Sequence, residues 1–104
     1  MSNTALTEAV YYILLSLTKP MHGYGIMQNV EQLSNGRVRL AAGTLYGAIN
    51  TLLERGWITA LSDESGGRKK EYVITDLGAE QLNAEIRRLA ELLEHARRVL
   101  EGSQ

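Results

Sequence analysis

Two stretches of the chain carry side chains suited to gripping another molecule. On a helix turning about 100° per residue, Gly43, Tyr46, Gly47 and Asn50 share one side of the 41–58 stretch and Leu45, Ile49, Leu52 and Leu53 share the other. The leucine side is an ordinary core stripe. The other side is unusual, because a surface glycine costs a helix about 1 kcal/mol relative to alanine. Two of them leave a smooth face that a bulky partner can approach closely, beside an amide and a hydroxyl able to hydrogen-bond base edges or phosphates. A core helix with chance surface glycines is the competing explanation. The second stretch is Arg68-Lys69-Lys70, directly after Gly66-Gly67. A solvated strand edge also accounts for a basic run, and lysines guard edges against aggregation. Three consecutive bases behind a two-glycine tip fit contact with phosphate or a minor groove better.

Composition narrows the remaining chemistry. A chain of 104 residues, 44% hydrophobic, fits one domain whose small core benefits from a partner chain. The absence of cysteine removes disulfides, thiolate metal sites and a cysteine nucleophile. His22 and His95 are far apart without clustered carboxylates, so no metal is expected. The Gly66-Gly67 loop lacks a phosphate-binding P-loop pattern, so neither an enzyme nor a cofactor is expected. The first residues lack the basic start of a signal peptide, and the longest apolar run, residues 9–15, is too short for a bilayer. A cytoplasmic protein without membrane contact is the expectation. Net charge is −1, yet between Arg37 and Lys70 six bases face three acids, a local excess of +3. Such a basic centre suits binding that depends on positioning more than on bulk attraction.

The rest of the chain supplies elements to hold these stretches. Residues 6–17 read as a helix with Leu6, Val10, Ile13, Leu14 and Leu17 on one face and Tyr11 and Tyr12 beside it; Lys19-Pro20 ends it. A second helix over residues 23–33 is expected to bury Tyr24 or Gly25, Met27, Val30 and Leu33, with His22 as its cap and Asn35-Gly36 as its stop. Residues 37–40 alternate charged and apolar, as a short strand does. The helix of the 41–58 stretch begins poorly capped, since Ala41 and Ala42 stand where Ser or Asp is favoured, with Thr44 a partial substitute. Gly56 stops it. Residues 57–61 and 69–74 read as two strands around a polar, glycine-containing turn.

Thr75-Asp76 caps a last helix that runs to residue 100, about 40 Å at 1.5 Å per residue. Along it Leu82, Ile86, Leu89, Leu93, Ala96 and Leu100 are spaced four, three, four, three and four, a heptad seam widened by Leu92 and Val99. So long a helix exceeds what the remaining chain can cover, so the seam is expected to meet its own copy and the first helix in a homodimer; a seam packed only on the first helix of its own chain is the competing explanation. The order is helix, helix, short strand, helix, hairpin, long helix. It defines a mainly α, α+β fold: a winged helix-turn-helix over residues 1–74 with a C-terminal dimerisation helix over residues 75–104.

The residues also resemble a known family. Leu14-Leu15, Pro20-Met21-His22-Gly23-Tyr24, Gly43-Thr44-Leu45-Tyr46, Leu52-Leu53-Glu54-Arg55-Gly56-Trp57-Ile58, Gly67-Arg68-Lys69-Lys70-Glu71-Tyr72 and Thr75-Asp76-Leu77-Gly78 are similar, in order and spacing, to PadR-type transcriptional regulators. With one C-terminal helix, the chain resembles the short subfamily. The resemblance implies a homodimeric repressor on pseudo-palindromic double-stranded operators, relieved by a small-molecule effector. It places Thr44, Tyr46, Gly47 and Asn50 against DNA, Arg68 with Lys69 or Lys70 on the wing, and Tyr72 in support of the wing. The family's frequent Ser before Gly43 is absent, which removes one phosphate contact at the helix start. Some short members stack flat drugs on a tryptophan of the last helix. Here that helix has no aromatic residue, and an effector is expected instead between the first helix, at Tyr11 or Tyr12, and the last. The alternative function is a winged-helix protein-interaction module without DNA binding, which the near-neutral charge favours.

Overall fold

The structure is a computed structural model that describes residues 5–61 and 70–102. Helix α1 spans Glu8–Ser16, strand β1 Met21–His22, α2 Gly23–Leu33, α3 Ala42–Arg55, β2 Ile58–Leu61, β3 Glu71–Ile74 and α4 Asp76–Leu100. The strands form one antiparallel sheet in the order β1-β3-β2. Ile58 pairs with Ile74 and Leu61 with Glu71 in the wing, while Met21 pairs with Tyr72 and His22 with Glu71 on the other side. The class is the expected one, mainly helical with a small sheet.

Caps set the helix ends. Thr7 accepts a bond from the Val10 amide (3.1 Å) at the start of α1. The Nδ1 of His22 accepts from the Gly25 amide (3.3 Å), so His22 is the cap of α2, as the sequence suggests. Ala41 offers α3 no side-chain cap. At its other end Gly56 takes the left-handed conformation (φ 77°) that the stop requires, and Trp57 N–H bonds back to the Leu52 carbonyl (3.0 Å).

The core gathers Ile13, Leu14 and Leu17 of the α1 end, Ile26 and Val30 of α2, Leu45, Ile49 and Leu52 of α3, Ile58 and Tyr72 of the wing, and Leu82 of α4. Two expectations fail here. The buried stripe of α2 is Gly23, Ile26 and Val30; Tyr24 and Leu33 point outward, and Met27 is only partly buried. The helix is turned because Gly23 must lie under the ring of Tyr46: a Cβ there would run into that ring, 2.7 Å from Cζ and closer still to the hydroxyl. Residues 37–40 also form no strand. The Ser34 hydroxyl accepts the Val38 amide (2.9 Å), holding this segment as a loop, and Met21–His22 takes the third place in the sheet.

The same loop corrects the charge argument. Arg37 bonds Glu8 (2.6 Å) and Arg39 pairs with Glu31 (3.4 Å), two acids outside the 37–70 window. Most of the local positive excess is thereby neutralised within the fold. The wing strands are also shorter than expected, beginning at Ile58 and Glu71.

α4 joins the body through its first turn. Thr75 Oγ1 accepts the Gly78 amide (3.0 Å) and donates to the Gly56 carbonyl (2.6 Å), while Thr75 N–H bonds the Trp57 carbonyl (2.9 Å). Gly78 is buried, and a Cβ on it would collide with the Trp57 carbonyl and lie 2.8 Å from Ile74 Cγ1. α4 then stays packed through Leu82 and Glu85, and beyond them it leaves the body: the molecule measures 63 × 31 × 20 Å with a radius of gyration of 16.0 Å. A compact chain of this length has a radius of about 13 Å.

Candidate nucleic-acid interface

α3 presents its first two turns to solvent. Gly43, Thr44, Gly47 and Asn50 are all exposed, and a Cβ added at Gly43 or Gly47 would meet nothing within 4 Å. These two glycines therefore differ from Gly23 and Gly78, which the packing of the chain itself demands. The helix start is also exposed, and with no side-chain cap at Ala41 its first-turn amides are available to an anion. Farther along the same outer row stands Glu54, exposed and acidic, so the face suited to a polyanion ends after Asn50.

Tyr46 has two roles in the geometry. Its ring covers Gly23 at the start of α2, yet the residue remains 45% exposed. It also neighbours Tyr72 of β3, whose phenol is pushed above its ordinary value by burial first and by Tyr46 second. Tyr46 thus ties the outer face of α3 to both α2 and the wing. Tyr72 is only 7% exposed and belongs to the core. Of the wing bases, Lys70 is exposed just before β3; Arg68 and Lys69 lie outside the described residues.

One exposed side chain on this side escaped sequence reasoning. Tyr24, 64% exposed, sits in the first turn of α2 immediately after the glycine that Tyr46 covers. The sequence carried no signal for it, because a tyrosine at helical spacing reads equally well as core. Once Gly23 is fixed beneath Tyr46, the residue after it must turn outward.

The expected pairing seam divides in two. Leu82 is buried in the core of its own chain. Ile86, Leu89, Leu93, Ala96 and Leu100 stay exposed, with Leu92 and Val99 beside them. Glu85 is buried too. Its carboxylate accepts two bonds from Arg88 (2.8 and 2.7 Å). The Arg88 bonds hold this carboxyl below its usual range, against the opposing pull of burial. Tyr11 and Tyr12 pack edge to face, ring centroids 5.5 Å apart, and are partly buried against the core. Among the described residues no cluster of side chains could hold a metal, and no helix is long and apolar enough to cross a membrane.

A helical reading face, an antiparallel wing and a long trailing helix define a winged helix-turn-helix DNA-binding fold. The family follows from comparison: the Transcriptional regulator PadR-like family matches residues 12–84, and the chain belongs to it. Transcription regulation rather than catalysis is the family's role. Among curated proteins, the Escherichia coli K12 transcriptional regulator YqjI is 33% identical over 73 residues, 70% of this chain and 34% of that protein. The chain spans 24% and 83% of the length of two further curated relatives. A PadR family transcriptional regulator from Eggerthella lenta is 25% identical, with a TM-score of 0.71 over 90% of this chain and 82% of the other. Bacillus subtilis PadR, solved in complex with operator DNA, shares the fold at 24% identity, with a TM-score of 0.68 over 80% of this chain and 48% of the other.

Proposed function

We infer that this PadR-family regulator is a homodimeric, sequence-specific DNA-binding repressor that a small-molecule effector releases. In this reading α3 enters the major groove, with Thr44, Tyr46, Gly47 and Asn50 against the bases and nearby phosphates. Arg68, Lys69 and Lys70 of the wing reach the flanking backbone, and two copies pair through Ile86, Leu89, Leu93, Ala96 and Leu100 of α4. The observation that carries the reading is the pair Gly43 and Gly47. Each weakens α3, neither is required by anything inside the fold, and together they clear the space a DNA groove would occupy. That Bacillus subtilis PadR, which shares the fold, is solved in complex with operator DNA supports the DNA-binding part of the reading. The exposed seam on a helix that projects from the body supports the dimer.

The test is selection of duplexes from a random-sequence pool, followed by affinity measurements on the selected site. Asn50→Ala is expected to weaken binding between about fivefold and about 150-fold, about 1–3 kcal/mol for a lost base contact, while sedimentation still shows a dimer. No enriched duplex, or unchanged affinity in Asn50→Ala, overturns the reading. Affinity that does not fall as salt rises would favour the protein-interaction module instead.

A further inference from the structure

A cavity of about 340 Å³ opens between the start of α1, the flank of α3 and Trp57, away from both the glycine face and the α4 seam. Its size lies at the lower end of small-molecule sites. Leu6, Val10, Ala48, Leu52 and Trp57 give it apolar walls. Tyr11 and Tyr12, the residues at which an effector was expected, do not line it.

The polar groups at this cavity are few and have unused capacity. The Thr7 oxygen accepts the Val10 amide, which leaves its own O–H free to donate. Thr51 donates to the Gly47 carbonyl (3.2 Å), which leaves its oxygen free to accept. Arg55 lies over the Trp57 ring, 5.2 Å from its centroid, and forms no ion pair among the described residues. Arg37, Arg39 and Arg88, by contrast, each have a carboxylate partner. A guanidinium steered by an aromatic ring, at the wall of an apolar cavity and with no carboxylate partner among the described residues, is charge-complementary to a carboxylate and matches its planar geometry.

The geometry points to this cavity as a binding site for a small carboxylate with an apolar body, its acid group on Arg55 and its body against Leu6, Val10 and Leu52. Ala48, Thr51, Leu52 and Arg55 all belong to α3, so occupancy is coupled to whatever that helix binds; this second part rests on the DNA-binding reading. Binding free energies couple reciprocally, so a carboxylate that alters operator affinity has its own affinity altered by the same factor.

Trp57 is the only tryptophan of the chain, so its emission reports the cavity directly. The full-length protein is titrated with octanoate, octanamide and octylamine, which do not absorb where tryptophan is excited. Octanoate is expected to shift the emission saturably, with octanamide and octylamine at least tenfold weaker. Arg55→Gln is expected to bring octanoate down to the octanamide level, with Arg55→Lys recovering part of the difference. Ala48→Met, which fills the cavity, is expected to abolish binding of both. No saturable shift with octanoate, octanamide as tight as octanoate, or an unchanged preference in Arg55→Gln overturns the site. Operator affinity is then measured with and without saturating octanoate. A change of threefold or more supports the coupling, and equal affinities refute it. Protein that binds octanoate but selects no duplex refutes the DNA-binding reading and leaves the site standing; protein that selects a duplex but binds no octanoate does the reverse.

Discussion

Replacing Gly47 by leucine is expected to move stability and DNA binding in opposite directions. In the free protein the added side chain meets open space, since nothing lies within 4 Å of a Cβ at this position. Position 47 is interior to α3, where glycine is less favourable than leucine or alanine by about 0.8–1.0 kcal/mol. For a domain of this size each kcal/mol corresponds to about 4–8 °C in Tm. Gly47→Leu is therefore expected to melt several degrees higher, compared at equal protomer concentration so that dimerisation does not enter the difference.

On DNA the same four carbons stand where the groove floor would be. To make room the helix must back away, and it then loses contacts from Asn50 and Tyr46 as well. Two such contacts at about 1–3 kcal/mol each, about 2–6 kcal/mol together, set an expected loss of at least about thirtyfold in operator affinity. Gly47→Ala tests the size dependence, with nearly the same stability gain and a smaller loss of affinity. Thermal melts by circular dichroism and anisotropy titrations on a labelled operator read the two quantities separately. A lower Tm would mean that the glycine is needed by the fold. Operator affinity within twofold of the parent for Gly47→Leu would mean that this face does not meet DNA. Either result refutes the reasoning.

The other two packing classes of glycine and the two ends of α4 give further expectations. Gly23→Ala is expected to destabilise by about 1–3 kcal/mol in chemical denaturation, because its Cβ overpacks against the Tyr46 ring; an unchanged midpoint would show that the ring moves aside freely. Gly78→Ala is expected to cost more than Gly23→Ala, because the obstacle is the rigid Trp57 carbonyl rather than a side chain; a smaller loss would contradict that ordering. Leu89→Glu together with Leu93→Glu is expected to shift the protein to monomer in analytical ultracentrifugation without unfolding residues up to β3, and a persistent dimer would place the pairing surface elsewhere. Glu85 has a folded-state pKa below its unfolded value. Its contribution is therefore complete above the ordinary glutamate range and is lost as pH falls through the lower folded value. The parent is expected to lose stability over Glu85→Gln in that acid window only, which paired melts at neutral and acid pH would check.

Legibility from sequence depended on how directly each residue's job is local. The stop of α3 at Gly56 and the start of α4 at Thr75 follow from caps and periodicity, and the structure has them there. The phase of α2 was not readable, because it is set by Gly23 meeting Tyr46, a contact across 23 positions of sequence. Residues 37–40 have the alternation of a strand, but Ser34 captures the Val38 amide before a sheet can. Arg37 and Arg39 looked like part of a basic centre until Glu8 and Glu31 arrived from other elements. The open environment of Gly43 and Gly47 was inferred correctly from the pattern, because a helix with one apolar stripe has only one other side to face.

Thr75 is the residue through which reading and pairing would communicate. A dimeric helix-turn-helix must hold its two reading helices about 34 Å apart, one duplex turn, and any slack between α3 and α4 would smear that spacing. Thr75 removes slack with three bonds: to the Gly56 carbonyl at the end of α3, to the Trp57 carbonyl at the entry to the wing, and to the Gly78 amide inside α4. Gly78 allows this by bringing the helix so close to Trp57 that no side chain fits between. The junction between residues 74 and 75 is thus a clamp rather than a linker. Thr75→Val keeps the shape but deletes the hydroxyl, so the Gly56 carbonyl and the Gly78 amide each lose a partner. The dimer is expected to survive, since the exposed seam lies beyond this turn, while discrimination between operators of correct and altered half-site spacing falls. A Thr75→Val protein that separates the two spacings as sharply as the parent would show that the spacing is set elsewhere, with the packing of α4 on α1 the next place to look.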